Sequence, residues 1–376
     1  MGSHFINNLR IYNPKNCFQQ ADLSRWIAKA HQQAEVLKSF ELQMSGDLIE
    51  KLFLRYGVKE TQIAQRYFEC SDVYSDFSEG SEIYPISKAT PFGVDISKRA
   101  QFFTKRATAV FEKFYDLSSP QARPEHLIHV TCTGYESPSA AQKTIAHKNW
   151  GTSTGITHAY HMGCYASIPA IRLANALVAD LKTVDIVHNE MCGLHMDTSA
   201  QTPEQMVVQT LFADGHAKYS VSKYRNESGP NFRILGISEK IIPDSEKDMT
   251  WLPGPWGMYM GLSRDVPLKI KSELDPFSRD LFSKVGISYE QAMKATFAIH
   301  PGGPRIIEAV QETLNLASTQ VQESRKVLLE RGNMSSATLP HVWNEVLKNA
   351  YPKGTLVVSY AFGPGLTLFG AVFEVC

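Results

Sequence analysis

One of the six cysteines stands where sulfur chemistry is favoured: Cys164, in "YHMGCYASIP", follows a glycine and precedes small residues, where an extended segment gives way to the helical "PAIRLANAL". Unpaired N–H groups and the dipole at a helix N-terminus favour a negative sulfur and lower a thiol pKa toward the range of a nucleophile. Free cysteines are also commonly buried and inert, so both roles stay open on this pattern alone. His300 ends the apolar "ATFAI" and precedes "PGGP", which projects an imidazole from a strand end over a tight turn. There it is either the base that a thiol needs or an ordinary loop histidine. Asn333, in "RGNMSSA", follows a helix stop, and its amide could cap the next helix or aim its NH₂ at a developing oxyanion.

Other residues invite chemistry and give weaker signals. His158 and His161 lie three apart on an extended segment, which sends them to opposite faces, so no metal site is expected. "AFGPGLTLFG", containing Gly363, lacks the spacings that cradle a dinucleotide or nucleoside triphosphate, and reads as a hairpin turn that lets backbone approach a substrate. The other cysteines, Cys17, Cys70, Cys132, Cys192 and Cys376, form no CxxC pair, and no charged-then-apolar signal precedes them, which fits a reducing cytoplasm. The opening "MGSH" has the look of a cloning remnant and is set aside.

Elements must position these side chains. Apolar spacing predicts two amphipathic helices between about Asp22 and Arg55, and a third over Ile96–Leu117. A βαβαβ rhythm follows: strands "HLIHVTCTG", "GITHAYHMG" and "TVDIVHNEM" alternate with helices, the first of them capped by Ser137 with Pro138 at its first position. The grammar repeats later, with "ATFAIHPGG" as a strand, "PRIIEAVQETLNL" as a helix and "TLVVSYAFGPGLTLFGAVFEV" as a hairpin. With 376 residues the chain is long enough for about two domains. Lys plus Arg and Asp plus Glu each number 38, so no net field recruits nucleic acid, and no apolar run approaches a membrane span.

Taken jointly, "GCYAS", "AIHPGGPRII", "RGNMSSAT" and "AFGPGLT", with "IAQRYFE", "TLFADG" and "PDSE", resemble the chalcone synthase-like type III polyketide synthases of the thiolase superfamily. The resemblance implies an α/β thiolase fold, a five-layered αβαβα sandwich of two similar halves, in a homodimer. Residues 1–228 would carry the nucleophilic cysteine and 229–376 the histidine and asparagine. It also carries a Cys–His–Asn triad onto Cys164, His300 and Asn333, working on acyl and malonyl thioesters of coenzyme A or of an acyl carrier protein, with no further cofactor.

Departures from the plant pattern bear on substrate. Phe212 matches an aromatic gatekeeper between the coenzyme A tunnel and the cavity, and Met260 stands at the second gatekeeper position. Trp251 replaces a cavity-shaping glycine, which should shrink the cavity, while Cys192 and His195 replace pocket threonines. Arg66 is kept without the lysine-rich run that grips coenzyme A phosphates, and Arg305 adds a cation near the tunnel mouth. The expected reaction is decarboxylative condensation of an aliphatic acyl group, carried on Cys164, with malonyl units, giving a pyrone, a resorcinol or a β-keto product. A single-condensation ketoacyl synthase III-like enzyme on carrier-protein substrates, and a non-catalytic partner subunit, are the alternatives.

Overall fold

Side chains alternate across a strand, so a sheet with two apolar faces must be covered by helices on both. A computed structural model describes residues 4–37, 46–78, 80–116 and 123–376. The last positions of the first predicted helix (38–40), the end of the third (117) and residues 1–3 lie outside the described residues. The first half contains β1 (Phe5–Tyr12), β2 (Asn16–Gln19), α1 (Gln20–Val36), α2 (Gly46–Tyr56), β3 (Gln65–Phe68), α3 (Ile96–Phe114), β4 (His126–Thr131), α4 (Ala140–His147), β5 (Gly155–Tyr160), α5 (Ser167–Leu177), β6 (Thr183–Met191), α6 (Pro203–Leu211) and β7 (Asp214–Ser222). The second contains β8 (Phe232–Ile241), β9 (Met249–Pro253), β10 (Met258–Leu262), α7 (Val266–Lys284), α8 (Tyr289–Ala292), β11 (Thr296–Ile299), α9 (Pro304–Thr313), α10 (Gln322–Arg331), α11 (Thr338–Lys348), β12 (Leu356–Gly363) and β13 (Thr367–Val375).

The main strands run in the order β11-β12-β13-β8-β1-β7-β6-β4-β5. Only two residue pairs, Phe5 with Arg233 and Ile6 with Phe232, join the first-half sheet to the second. Alternation then sorts the core. Val184 and Ile186 of β6 point to a central layer that holds α5 and α11, while Val187 faces α1, α3 and α4 on the outside. In β13, Phe369, Ala371 and Phe373 face the same central layer from the other side, whereas Leu368 and Val372 pack toward α7 and α9. Helix, sheet, helix, sheet, helix is the five-layered thiolase fold. No helix among the described residues is long and apolar enough to cross a membrane.

Two local differences from the sequence reading have physical causes. The helix expected to start at Pro138 begins at Ala140, because Ser139 and not Ser137 has a glutamine three residues on, Gln142, to complete a capping box. Strand β8 and the β9–β10 hairpin escape the sequence reading because their faces are unevenly buried. Positions 233–237 of β8 are all half-buried, so no two-residue alternation marks them.

Burial of neutral imidazoles gives the fold an acid weakness. His129, His188 and His300 have pKa values pushed down to about 3 by burial, and His341 is pushed down well below the ordinary histidine range. The unfolded chain takes up these protons near pH 6.5 and the folded chain does not, so stability falls as pH drops from about 6.5 toward 3. Asp214, raised to about 8 by burial, and Glu190, also raised by burial, act in the opposite sense over part of that window, and they are outnumbered by these four imidazoles together with His195, which burial likewise pushes down to about 3. Urea titrations between pH 7 and 4 should therefore show the unfolding free energy dropping by roughly 2 kcal/mol or more per pH unit. A flat profile would mean that these imidazoles are hydrated and protonated in the native state.

Candidate active site

The corner at Cys164 is built by backbone geometry. Strand β5 ends at Tyr160, and the chain turns through Gly163, whose φ of 85° lies in the left-handed region. A Cβ there would sit 2.7 Å from Pro364 Cδ, so only glycine lets the turn press against that loop. Hydrogen bonds from Ala166 N to Gly163 O (3.1 Å) and from Ile168 N to Tyr165 O (3.1 Å) wind the chain into α5. Cys164 thus precedes the first helical residue, Ser167, by three positions and is 8% exposed.

His300 leaves β11, which pairs in parallel with β12, and its N–H donates to Tyr360 O (2.7 Å), extending that register by one residue. Its ring is 1% exposed, and neither ring nitrogen has a protein hydrogen-bond partner. Asn333 follows α10, and its Oδ1 accepts from Ser335 N (2.9 Å) and Thr338 Oγ1 (3.3 Å). The carboxamide also acts on the Cys164 thiol, lowering its pKa. With the oxygen occupied in capping, the NH₂ is the group left for the sulfur, so the cap and the oxyanion donor suggested by the sequence are two ends of one amide.

These three side chains line one cavity of about 440 Å³. Its rim carries three exposed arginines, Arg55, Arg264 and Arg305, of which the sequence reading named only the last. Phe212 and Met260 also wall it. Beyond Cys164 lies a nook of only about 20 Å³, bounded by Cys132, Cys192, Trp251, Ser335 and Pro364. Trp251 fills it: its indole Nε1 donates to Cys132 O at 2.6 Å, and its ring meets the His195 ring edge-on at 5.6 Å. Cys192, Trp251, Phe212 and Met260 separate this nook from a further chamber of about 60 Å³, which His195 also lines.

Three expectations need correction. Arg66 is 1% exposed and far from gripping phosphates at a mouth. It donates to Gln20 Oε1 (2.8 Å), Gln209 O (2.9 Å) and Phe212 O (2.7 Å), because β3 puts it on the same inward face as Phe68. Gly363 lines none of these cavities. A Cβ on it would lie 2.2 Å from Tyr165 Cδ1, so its bareness seats the ring beside Cys164 and brings no backbone to a substrate. The helix start, finally, does not suffice to ionise Cys164. Burial raises its pKa to about 12, Ser335 and Asn333 lower it by hydrogen bonds, and the Glu190 charge raises it.

Burial likewise pushes His300 down to about 3. Either charge alone in this dry pocket is disfavoured; one proton passed from sulfur to imidazole creates two opposite charges that stabilise each other. At rest the pocket holds a neutral thiol and a neutral imidazole.

The sequence reading missed a polar cluster behind the nucleophile. Ser335 Oγ lies 3.8 Å from Cys164 Sγ and 3.0 Å from Cys132 Sγ, and Cys132 Sγ lies 3.5 Å from the buried Glu190 carboxylate. Glu190 also accepts from Thr133 Oγ1 (2.8 Å), Cys132 N (3.1 Å) and Ser336 Oγ. Burial raises the Glu190 pKa and those donors oppose the rise. The available signal was an acid near the end of the apolar strand "TVDIVHNEM", opposite a second thiol closing "HVTC". Among the described residues, no group of three or more His, Cys, Asp or Glu side chains is placed to hold a metal ion.

Residues 234–376 match the family model described as chalcone and stilbene synthases, C-terminal domain. Over its full length the chain is similar in fold to PKS-I from the brown alga Ectocarpus siliculosus, with TM-score 0.84 and 22% identity, covering 100% of this chain and 99% of that one. It is also similar to the C-terminal type III polyketide synthase domain of Steely1, a type I/III hybrid from Dictyostelium, with TM-score 0.80 and 22% identity, covering 99% of each. A third similar structure is 1,3,6,8-tetrahydroxynaphthalene synthase from Streptomyces coelicolor A3(2), with TM-score 0.80 and 20% identity, covering 98% of each.

If the two charges arise together, removing the imidazole must strand the thiol. His300→Gln should slow alkylation of Cys164 by iodoacetamide at pH 7 at least ~10-fold, with the rate climbing only at alkaline pH. Site-resolved mass spectrometry checks this; equal rates in both proteins would show that His300 does not take the proton.

Proposed function

We propose that this chain, built on the fold of the type III polyketide synthases and matching the chalcone and stilbene synthase C-terminal domain over residues 234–376, is itself a type III polyketide synthase. One observation carries the reading: a thiol, an imidazole and a carboxamide line one cavity whose rim carries three exposed arginines. That set suits acyl transfer followed by condensation. Cys164 attacks an acyl thioester as its proton passes to His300, and the leaving thiolate takes that proton as it departs. A malonyl thioester then enters with its carbonyl oxygen toward His300 and the Asn333 amide. Loss of CO₂ leaves the electron pair on an enolate, and those two donors stabilise its oxyanion in a site where water does not compete. The enolate carbon attacks the acyl-Cys164 carbonyl, the C–S bond breaks, and the chain is two carbons longer.

Arg55, Arg264 and Arg305 meet the phosphates of coenzyme A, and an aliphatic acyl group is the starter, because Phe212, Met260, Trp251 and Cys192 stand among the walls beside Cys164. The same arginines would also meet the acidic surface of an acyl carrier protein, which is the second reading. The nook of about 20 Å³ limits extension to one to three malonyl units, giving a pyrone, a resorcinol or a β-keto product. The enzyme is a homodimer, and β5, one of the two edge strands, offers a sheet edge for it; light scattering should return twice the chain mass.

Purified protein incubated with acyl-CoA starters and malonyl-CoA should form an acyl adduct on Cys164 and release CO₂; neither, with coenzyme A or carrier-bound substrates, would overturn the reading. Trp251→Gly removes the indole that fills the nook. Its products should be longer by at least one malonyl unit by liquid chromatography and mass spectrometry, and unchanged product length would mean that Trp251 does not limit growth.

A further inference from the structure

The rim of the main cavity is positive from three elements at once. Arg55 ends α2, Arg264 stands in the turn before α7, and Arg305 lies in the first turn of α9. Arg55 lies over the ring of its neighbour Tyr56 (5.1 Å), and among the described residues none of the three arginines pairs with a carboxylate. The acids nearest to them in sequence, Asp265 and Glu308, are exposed and make no ion pair either. The amino ends of α7 and α9 open on the same rim through Val266, Pro267, Pro304 and Arg305, and each adds the positive end of a helix dipole. A surface of this kind waits for an anion.

Beside these cations stand two leucines that the fold leaves in solvent. Leu54, next to Arg55 on α2, is 67% exposed, while the same helix buries Ile49 and Phe53. Leu268, the residue after the cavity-lining Pro267 on α7, is 64% exposed. One exposed leucine on a surface is ordinary. Two, each within four residues of an unpaired arginine at one rim, form apolar contact points set among charges, which is the anatomy of a protein interface.

The leucines separate two kinds of thioester donor. Coenzyme A offers the arginines its phosphates, and leucines on the outer faces of two helices add nothing to that contact. A protein laid over the rim covers both. Its acyl group must still reach Cys164, which is buried, so the partner needs a long thin arm as well as an acidic face. An acyl carrier protein has both: acidic helices, and a phosphopantetheine arm whose phosphodiester and neighbouring carboxylates can each take an arginine.

We infer that the rim is a docking face for an acyl carrier protein, which seats on Leu54 and Leu268, is held by Arg55, Arg264 and Arg305, and delivers the starter. The inference rests on the condensing-enzyme reading above and commits its first step to a protein donor. In that step the Cys164 sulfur attacks the acyl carbon and its proton passes to His300. The bond from the acyl carbon to the arm's sulfur breaks, the departing thiolate takes the proton, and the carrier leaves as the free thiol. Malonyl-CoA then enters the vacated cavity.

The test uses the full chain and one saturated acyl group presented in two ways, as its coenzyme A thioester and on a fatty-acid-type acyl carrier protein. Mass spectrometry reads the rate of Cys164 adduct formation, and CO₂ release from malonyl-CoA is measured separately. Leu54→Glu and Leu268→Glu set a like charge against the carrier on two different helices, so a folding failure of one leaves the other informative. Each should slow acylation from the carrier at least ~10-fold and leave the coenzyme A rate within about twofold of wild type. Unchanged carrier rates in the variants, an equal loss from both donors, or no adduct from the carrier where coenzyme A gives one would overturn the docking face and leave the condensing-enzyme reading standing. No adduct from either donor together with no CO₂ release would overturn both.

Discussion

Two main-chain hydrogen bonds hold the site in register: Ala213 N to Asn333 O at 2.8 Å, and Asn333 N to Leu211 O at 3.0 Å. They bind the loop after α6, which carries Phe212, to the loop after α10, which carries Asn333. The two sheets share only two residue pairs, so this bridge is a principal tie between the halves near the chemistry. It sets where the ring at the tunnel wall stands relative to the amide at its end. Arg66 reinforces the tie from behind, because its guanidinium bonds the main chain of both Gln209 and Phe212. A cation spent on main-chain oxygens inside a protein is costly unless it fixes something. Here it fixes the end of α6 on which the tunnel wall depends.

Burial governs the electrostatics of the site. Cys164, His300 and Glu190 are each driven toward neutrality by burial, and the site reaches a reactive charge only by moving a proton between groups. The same burial strengthens every hydrogen bond made there. A dry pocket thus resists resting charge and rewards charge that appears opposite a waiting donor.

Much of this was legible in the sequence, and the pattern of what was not is instructive. The strands bearing Cys164 and His300 show short apolar runs closed by glycine or proline, and the structure has them at β5 and β11. Asn333 was legible as a cap or a donor, and the structure shows the cap, with its Oδ1 accepting from Ser335 N. Arg66 misleads because charge is read as exposure. In "QRYF" the two-residue period places it with Phe68, and that period, not the charge, decides its side. The cluster of Cys132, Glu190 and Ser335 gathers residues from three distant segments, which no local pattern reports. Arg55 and Arg264 likewise reach the rim from α2 and from the turn before α7, and on their own elements they read as ordinary solvated cations.

The β9–β10 ribbon pairs only with itself and stands apart from the large sheet. It nevertheless contributes Trp251 and Met260, the two side chains that most shape the space beyond the nucleophile. Trp251 and Met260 lie outside both the pairing of the large sheet and the bridge at Asn333. Descendants of this scaffold are free to drift in the molecules they accept while the bond-making apparatus stays as it is.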